Sequence, residues 1–134
     1  MYAFSVKTQS RDQFVNIDAE VQAAVDASGI KSGVCHVFVP HTTAGVTINE
    51  NADPDVVRDL RVIFDRLVPW SAGYAHGEGN SAAHAKASLV GFSQTVLIEG
   101  GRLALGTWQS IYFCEFDGPR TRKVWVQIVG AGEK

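Results

Sequence analysis

The sequence predicts a single α+β domain: a largely antiparallel β-sheet with helices packed on one side. Three observations carry that prediction. Segments with strand patterning outnumber helical ones. Alternating segments joined by short glycine turns fill the C-terminal third, whose strands should follow one another as a meander. No crossover helix separates these last strands, which argues against a doubly wound parallel sheet. The 134 residues suit one domain, 1–134, able to bury its own core, and contain no linker, repeat or low-complexity tract.

Tyr2 to Gln9 alternates as a strand. Ile17, Val21, Ala24 and Val25 recur at helical spacing, with Asp18 suited to cap the start and Gly29 the end. Val34–Val39 and Val46–Ile48 read as strands on either side of the island Pro40-His-Thr-Thr-Ala-Gly. Asp53-Pro54 opens the clearest helix. Aspartate is a good N-cap, proline suits the first turn, and Val56, Val57, Leu60, Ile63, Phe64 and Leu67 form an apolar stripe that Pro69 ends. Residues 70–80 form a loop with three glycines, and Ser81 is placed to cap a short helix through Leu89. Ser93–Glu99, Leu103–Phe116 with an interruption at Gly106, and Val124–Val129 read as β segments, with Glu-Gly-Gly and Asp-Gly-Pro-Arg as turns.

Composition removes several classes of function. Hydrophobic residues make up 46% and charged residues 19%, values of a globular rather than a disordered chain. A net charge of −2 gives no broad electrostatic footprint for nucleic acid. No apolar run approaches the ~20 residues that span a bilayer, and the N-terminus lacks a signal-peptide core, so the expectation is a cytoplasmic protein without a membrane partner. Cys35 and Cys114 lie in apolar alternating runs and read as reduced core residues. Arg120, Arg122 and Lys123 follow Asp-Gly-Pro and read first as a solvated hairpin turn, with phosphate binding the lesser reading.

The chemistry concentrates in two polar islands that hold three of the four histidines. His41 stands at a strand end, His76 in the glycine loop and His84 in the first turn of the short helix; His36, within a strand run, is given no role. Imidazole is the commonest protein metal ligand, and three converging neutral rings would make an open catalytic zinc site. His-x7-His is no standard metal signature, so convergence depends on the fold. Glu50 and Asp53 follow the His41 strand. Asp53 suits a helix cap, whereas Glu50 has no local task and is a candidate general base or a partner orienting a histidine. The turn Gly77-Glu-Gly-Asn-Ser before a helix start suits an anion, with Lys86 nearby. Thr107 and Gln109 flank Trp108 and would present polar groups on one strand face.

Together these segments, with Thr47-Ile-Asn-Glu-Asn-Ala-Asp-Pro and Gly101-Arg-Leu-Ala-Leu-Gly-Thr-Trp-Gln, resemble the YjbQ-like family, to which a secondary thiamine-phosphate synthase activity is attributed. The match runs in order from around residue 30 to the C-terminus, and Gly-Thr-Trp-Gln with its flanks is its most specific block. The resemblance implies a compact α+β domain, a homotrimer and a site where the motif histidines gather around a metal or an anion. Motif positions fall on His41, Glu50, Asn51, Asp53, His76, Glu78, Asn80, His84, Thr107 and Gln109. The implied reaction condenses a pyrimidine methyl diphosphate with a thiazole phosphate and releases pyrophosphate. The expected roles are therefore His41, His76 and His84 as ligands of a divalent metal, zinc first, and Glu50, Asp53 and His41 as acid/base groups. Glu78, Gly79, Asn80, Lys86, Thr107 and Gln109 would contact a small phosphorylated metabolite. The same residues also suit a metal-dependent hydrolase, or a non-catalytic metabolite-binding or assembly protein with a structural metal.

Overall fold

The computed structural model describes residues 1–132. Its elements run β1 (Tyr2–Lys7), β2 (Gln13–Asn16), α1 (Asp18–Ser28), β3 (Ser32–Phe38), β4 (Ala44–Glu50), α2 (Pro54–Leu67), α3 (Ser81–Val90), β5 (Ser93–Glu99), β6 (Arg102–Leu103), β7 (Gln109–Glu115) and β8 (Thr121–Gly130). They build a five-stranded sheet ordered β1-β8-β3-β5-β6 and a three-stranded sheet ordered β2-β7-β4. Every described pairing is antiparallel, so the predicted α+β class is the observed one.

Strand β7 explains the layering. It is buried from Ser110 to Glu115, which strict one-sided alternation would not allow. Ile111 and Phe113 enter one core with Val37, Val46, Val124 and the α1 residues Val21 and Val25. Tyr112, Cys114 and Phe116 enter a second core with Ala83 and Ala87 of α3, against which Phe64 of α2 packs. The small sheet is thus covered by the large sheet on one face and by α2 and α3 on the other. Each large side chain so buried contributes about 1.5–3 kcal/mol.

Three local expectations are corrected. The C-terminal strands are not a meander: β5 and β6 form a hairpin, β7 crosses to the small sheet, and β8 returns between β1 and β3. The crossing is made at Gly106, whose N–H donates to Gln109 Oε1 (2.8 Å) and whose carbonyl accepts the Gln109 N–H (3.1 Å). Asp18 does not cap α1; its Oδ1 accepts the Ile111 N–H (2.7 Å) and ties the helix start to β7. Ser81 is the first residue of α3 rather than its cap, which is Asn80. The Gly29 and Asp53 caps are as predicted: Gly29 is left-handed (φ 68°), and Asp53 Oδ1 accepts the Asp55 N–H (2.9 Å).

Candidate functional site

A cleft of about 450 Å³ opens where three loops meet: residues 40–43 before β4, 76–80 before α3, and 117–122 leading into β8. The first loop is pinned by backbone bonds from Val39 N–H to Phe92 O (2.8 Å) and from Val46 N–H to Gly91 O (3.0 Å). Gly45 presses so closely on the Gly91 carbonyl that any Cβ would strike it. In the second loop Gly79 takes φ 72° and its N–H returns to His76 O (3.1 Å), a tight turn that a side chain would strain. This turn sets His76 beside His84, with ring centroids 5.4 Å apart and planes nearly perpendicular.

Beneath the cleft lies a buried ion pair. Glu115 is fully buried and accepts from Arg122 Nε (2.9 Å), from the Thr8 hydroxyl (2.8 Å) and, through Oε2, from the Phe116 and Asp117 N–H groups (3.1 Å each). Arg122 Nη2 donates to Glu115 and to Thr43 Oγ1 (2.8 Å). One bidentate pair therefore fixes the floor of two of the three loops. Above it Arg120, half exposed, is held against Asp117 through Nε and Nη2 (3.0 and 3.1 Å). Asn80 donates to the same carboxylate through Nδ2 (2.8 Å), leaving its buried Oδ1 without a partner.

His41 is oriented by the chain itself. Its Nε2 accepts the Lys123 backbone N–H (2.8 Å), so a neutral ring carries its proton on Nδ1. Burial, and then the Arg122 charge, hold its pKa below the ordinary 6.5, so the ring is neutral at pH 7. This bond bears on the expected metal set. His76 and His84 are free to ligate, but the lone pair of His41 Nε2 is engaged, and among the described residues no three His, Cys, Asp or Glu side chains form a ligand cluster. The fit to a divalent ion is partial: two imidazoles and the orphaned Asn80 Oδ1.

The cleft thus gathers His41, His76, His84, Glu78 and Asn80 from the expected site, with Gly79 shaping the turn beside it. It does not gather the others. Glu50 ends the strand that His41 precedes, about 20 Å along at strand rise, and pairs in register with Gln109. Asp53 is the α2 cap, Gln109 closes the Gly106 turn, and Thr107 lies exposed in that turn. Lys86 is corrected outright: it is fully buried and donates to Asp12 Oδ2 (2.9 Å) and to Asp65, so it joins α3 to α2 and is closed to a ligand. Asp117 carries no expected role, and Arg122, read first as part of a solvated turn with phosphate binding the lesser reading, is buried instead. A signal for Arg122 existed, because it shares the inward period of Val124 and Val126 on β8, where a charge must have a buried partner.

The profile of the UPF0047 protein YjbQ-like family matches residues 2–131. UPF0047 protein YugU of Bacillus subtilis is 55% identical over 126 residues, spanning 93% of this chain and 96% of that protein. UPF0047 protein MJ1081 of Methanocaldococcus jannaschii is 48% identical over 130 residues, spanning 97% of this chain and 94% of that protein. Among solved structures, an uncharacterized conserved protein of the YjbQ/UPF0047 family from Clostridium acetobutylicum superposes with a TM-score of 0.94 at 58% identity, over 96% of this chain and all of that one (100%). A hypothetical protein from Aeropyrum pernix, APE1520, gives a TM-score of 0.91 at 36% identity, over 97% and 98% of the two chains.

Proposed function

We propose, from the premise that the chain belongs to the YjbQ/UPF0047 family, that it is an enzyme of small phosphorylated metabolites. Its best-named activity in this proposal is thiamine-phosphate synthesis, the condensation of a pyrimidine methyl diphosphate with a thiazole phosphate and release of pyrophosphate. One observation carries the proposal: three histidines and two arginines line a single cleft in a chain whose net charge is only −2. Departure of pyrophosphate develops negative charge, and preorganised donors in a partly enclosed site stabilise it. Arg120 supplies a guanidinium at the rim, and Arg122 one in the floor. The neutral His41 ring adds an N–H donor, while His76 and His84 line the same cleft as the groups proposed to transfer protons.

A divalent ion, zinc by ligand preference, belongs to the proposal on His76, His84 and Asn80 Oδ1, where it would counter charge on the departing group. The protein is further proposed to act in the cytoplasm as a homotrimer. Two features are consistent with this. Among the described residues no helix is long and apolar enough to cross a membrane. The outer face of the large sheet also leaves Phe38, Leu97, Trp125 and Val129 exposed, the kind of apolar face that subunits cover.

The test is product analysis with both substrates and with each alone. Thiamine phosphate and pyrophosphate should form only when both are present, and His84→Ala should lower the rate at least about 100-fold. Release of phosphate from one substrate alone would replace this proposal with hydrolysis. The metal assignment is checked by elemental analysis: His84→Ala should lose the ion, and full retention would contradict it.

A further inference from the structure

We propose that the cleft contains a built seat for a phosphoryl group, made by Arg122 Nη1 and the Nδ1–H of His41, with Arg120 as its outer charge. The inference rests on the reading that this cleft takes a phosphorylated ligand, and it names the groups that grip it.

Arg122 is the first observation. Only 3% of the residue is exposed, yet it lines the cleft. Its Nε and Nη2 are consumed by Glu115 and Thr43, whereas Nη1 has no hydrogen-bond partner among the described residues. That nitrogen is nevertheless not a buried orphan: Asn80 Oδ1 is the one buried side-chain polar atom without a partner among the described residues. Nη1 therefore opens to the cleft. A buried guanidinium held by the Glu115 carboxylate and by Thr43, with one edge left free, is preorganised to donate to an oxyanion.

His41 is the second observation. The Lys123 N–H fixes Nε2 as an acceptor, so Nδ1 is the donor; it too has no partner among the described residues and is not walled off from solvent. Both residues line the same cleft, and Arg122 is tied to the His41 loop through Thr43, two residues beyond His41. Arg120 stands at the rim with Nη1 uncommitted, because Asp117 takes only Nε and Nη2. Three donors lining one cleft, two of them on cationic guanidinium groups, suit the several charged oxygens of a phosphoryl group. The seat is distinct from the His76–His84 pair, to which it gives no ligand.

The experiment uses the full chain, inorganic pyrophosphate as the probe, and a chelator to remove divalent ions. Calorimetry measures affinity, and long-range proton–nitrogen NMR reads the histidine tautomers. His41 should be the Nδ1–H tautomer, and its resonances should move on binding. His41→Phe and Arg122→Lys should each weaken binding at least about tenfold, while His76→Ala changes it less than about threefold. An Nε2–H tautomer, absent binding in the unmodified protein, or unchanged affinity in a natively folded His41→Phe would overturn the seat. If pyrophosphate binds as described but the two-substrate assay gives no thiamine phosphate, the proposed activity fails and the seat stands. If turnover occurs and His41→Phe leaves KM unchanged, the seat alone fails.

Discussion

Among the described residues Lys86 and Arg122 are the two fully or nearly buried cations, and each occupies a position that its own element marks. Lys86 shares a helix face with Ala82, Ala83 and Ala87, all buried, so its i+3 and i+4 spacing was the readable sign that it points inward. Taken alone, a lysine on a short helix reads as solvated, because nothing in its neighbourhood names Asp12 or Asp65 as partners. Those partners are distant in sequence. Lys86→Met should destabilise the fold by about 1–3 kcal/mol in chemical denaturation, since buried Asp12 loses one of its two cationic partners and keeps only Arg11 Nε (2.7 Å). Pyrophosphate affinity should be unchanged, which would separate Lys86 from the site. The histidines were legible by type and position, but the tautomer of His41 was not, because a backbone N–H on β8 sets it. With its folded pKa below 6.5, His41 resists protonation that the unfolded chain accepts, so its contribution to stability is present above pH 6.5 and declines as pH falls below it. His41→Phe should flatten that part of the stability profile. The thiols follow burial: desolvation raises Cys35 to about 11 and Cys114 higher still, and neither should alkylate in the native protein at pH 8.

Helix α2 shows what local chemistry can specify. Its Asp53-Pro54 start and its end before Pro69 are written in adjacent residues, and both stand where those residues put them. Asp53→Ala should cost about 1 kcal/mol of stability, measured by denaturation, with no change in cleft binding. The same helix shows where patterning runs out. Val57 and Phe64 pack on the second core, while Ile63 and Leu67 of the same stripe remain exposed. Strand β2 was not legible at all: its four residues are only partly buried and gain their place by pairing with β7. The segment Leu103–Phe116 read as one interrupted β run because both parts are apolar. Its division between two sheets depends on the Gly106 turn and its Gln109 lock, a contact no periodicity encodes.

At the scale of the whole molecule, the two sheets and one helical layer explain why the motif residues part company. The His41 end of β4 carries the cleft, while Glu50, Asp53, Thr107 and Gln109 gather at the far end, where Trp108 is 62% exposed. Sequence proximity of Glu50 to His41 was therefore a poor guide, because an extended strand separates its ends as far as it can. The three histidines line one cleft, but only His76 and His84 come together, and the three do not form a ligand cluster. The outer sheet face, where Phe38 stacks on Trp125 at 5.9 Å, is the proposed trimer contact. Trp125→Glu should reduce the mass measured by light scattering from a trimer toward a monomer, and a trimer retained at micromolar concentration would place the contact elsewhere. The central claim, that a phosphorylated metabolite is held between the 40–43, 76–80 and 117–122 loops, is tested most directly by a crystal structure of the protein with thiamine phosphate. The account predicts its phosphate beside Arg122 and His41. A phosphate bound instead at the Glu50–Gln109 end, with the histidine cleft left to solvent, would contradict it.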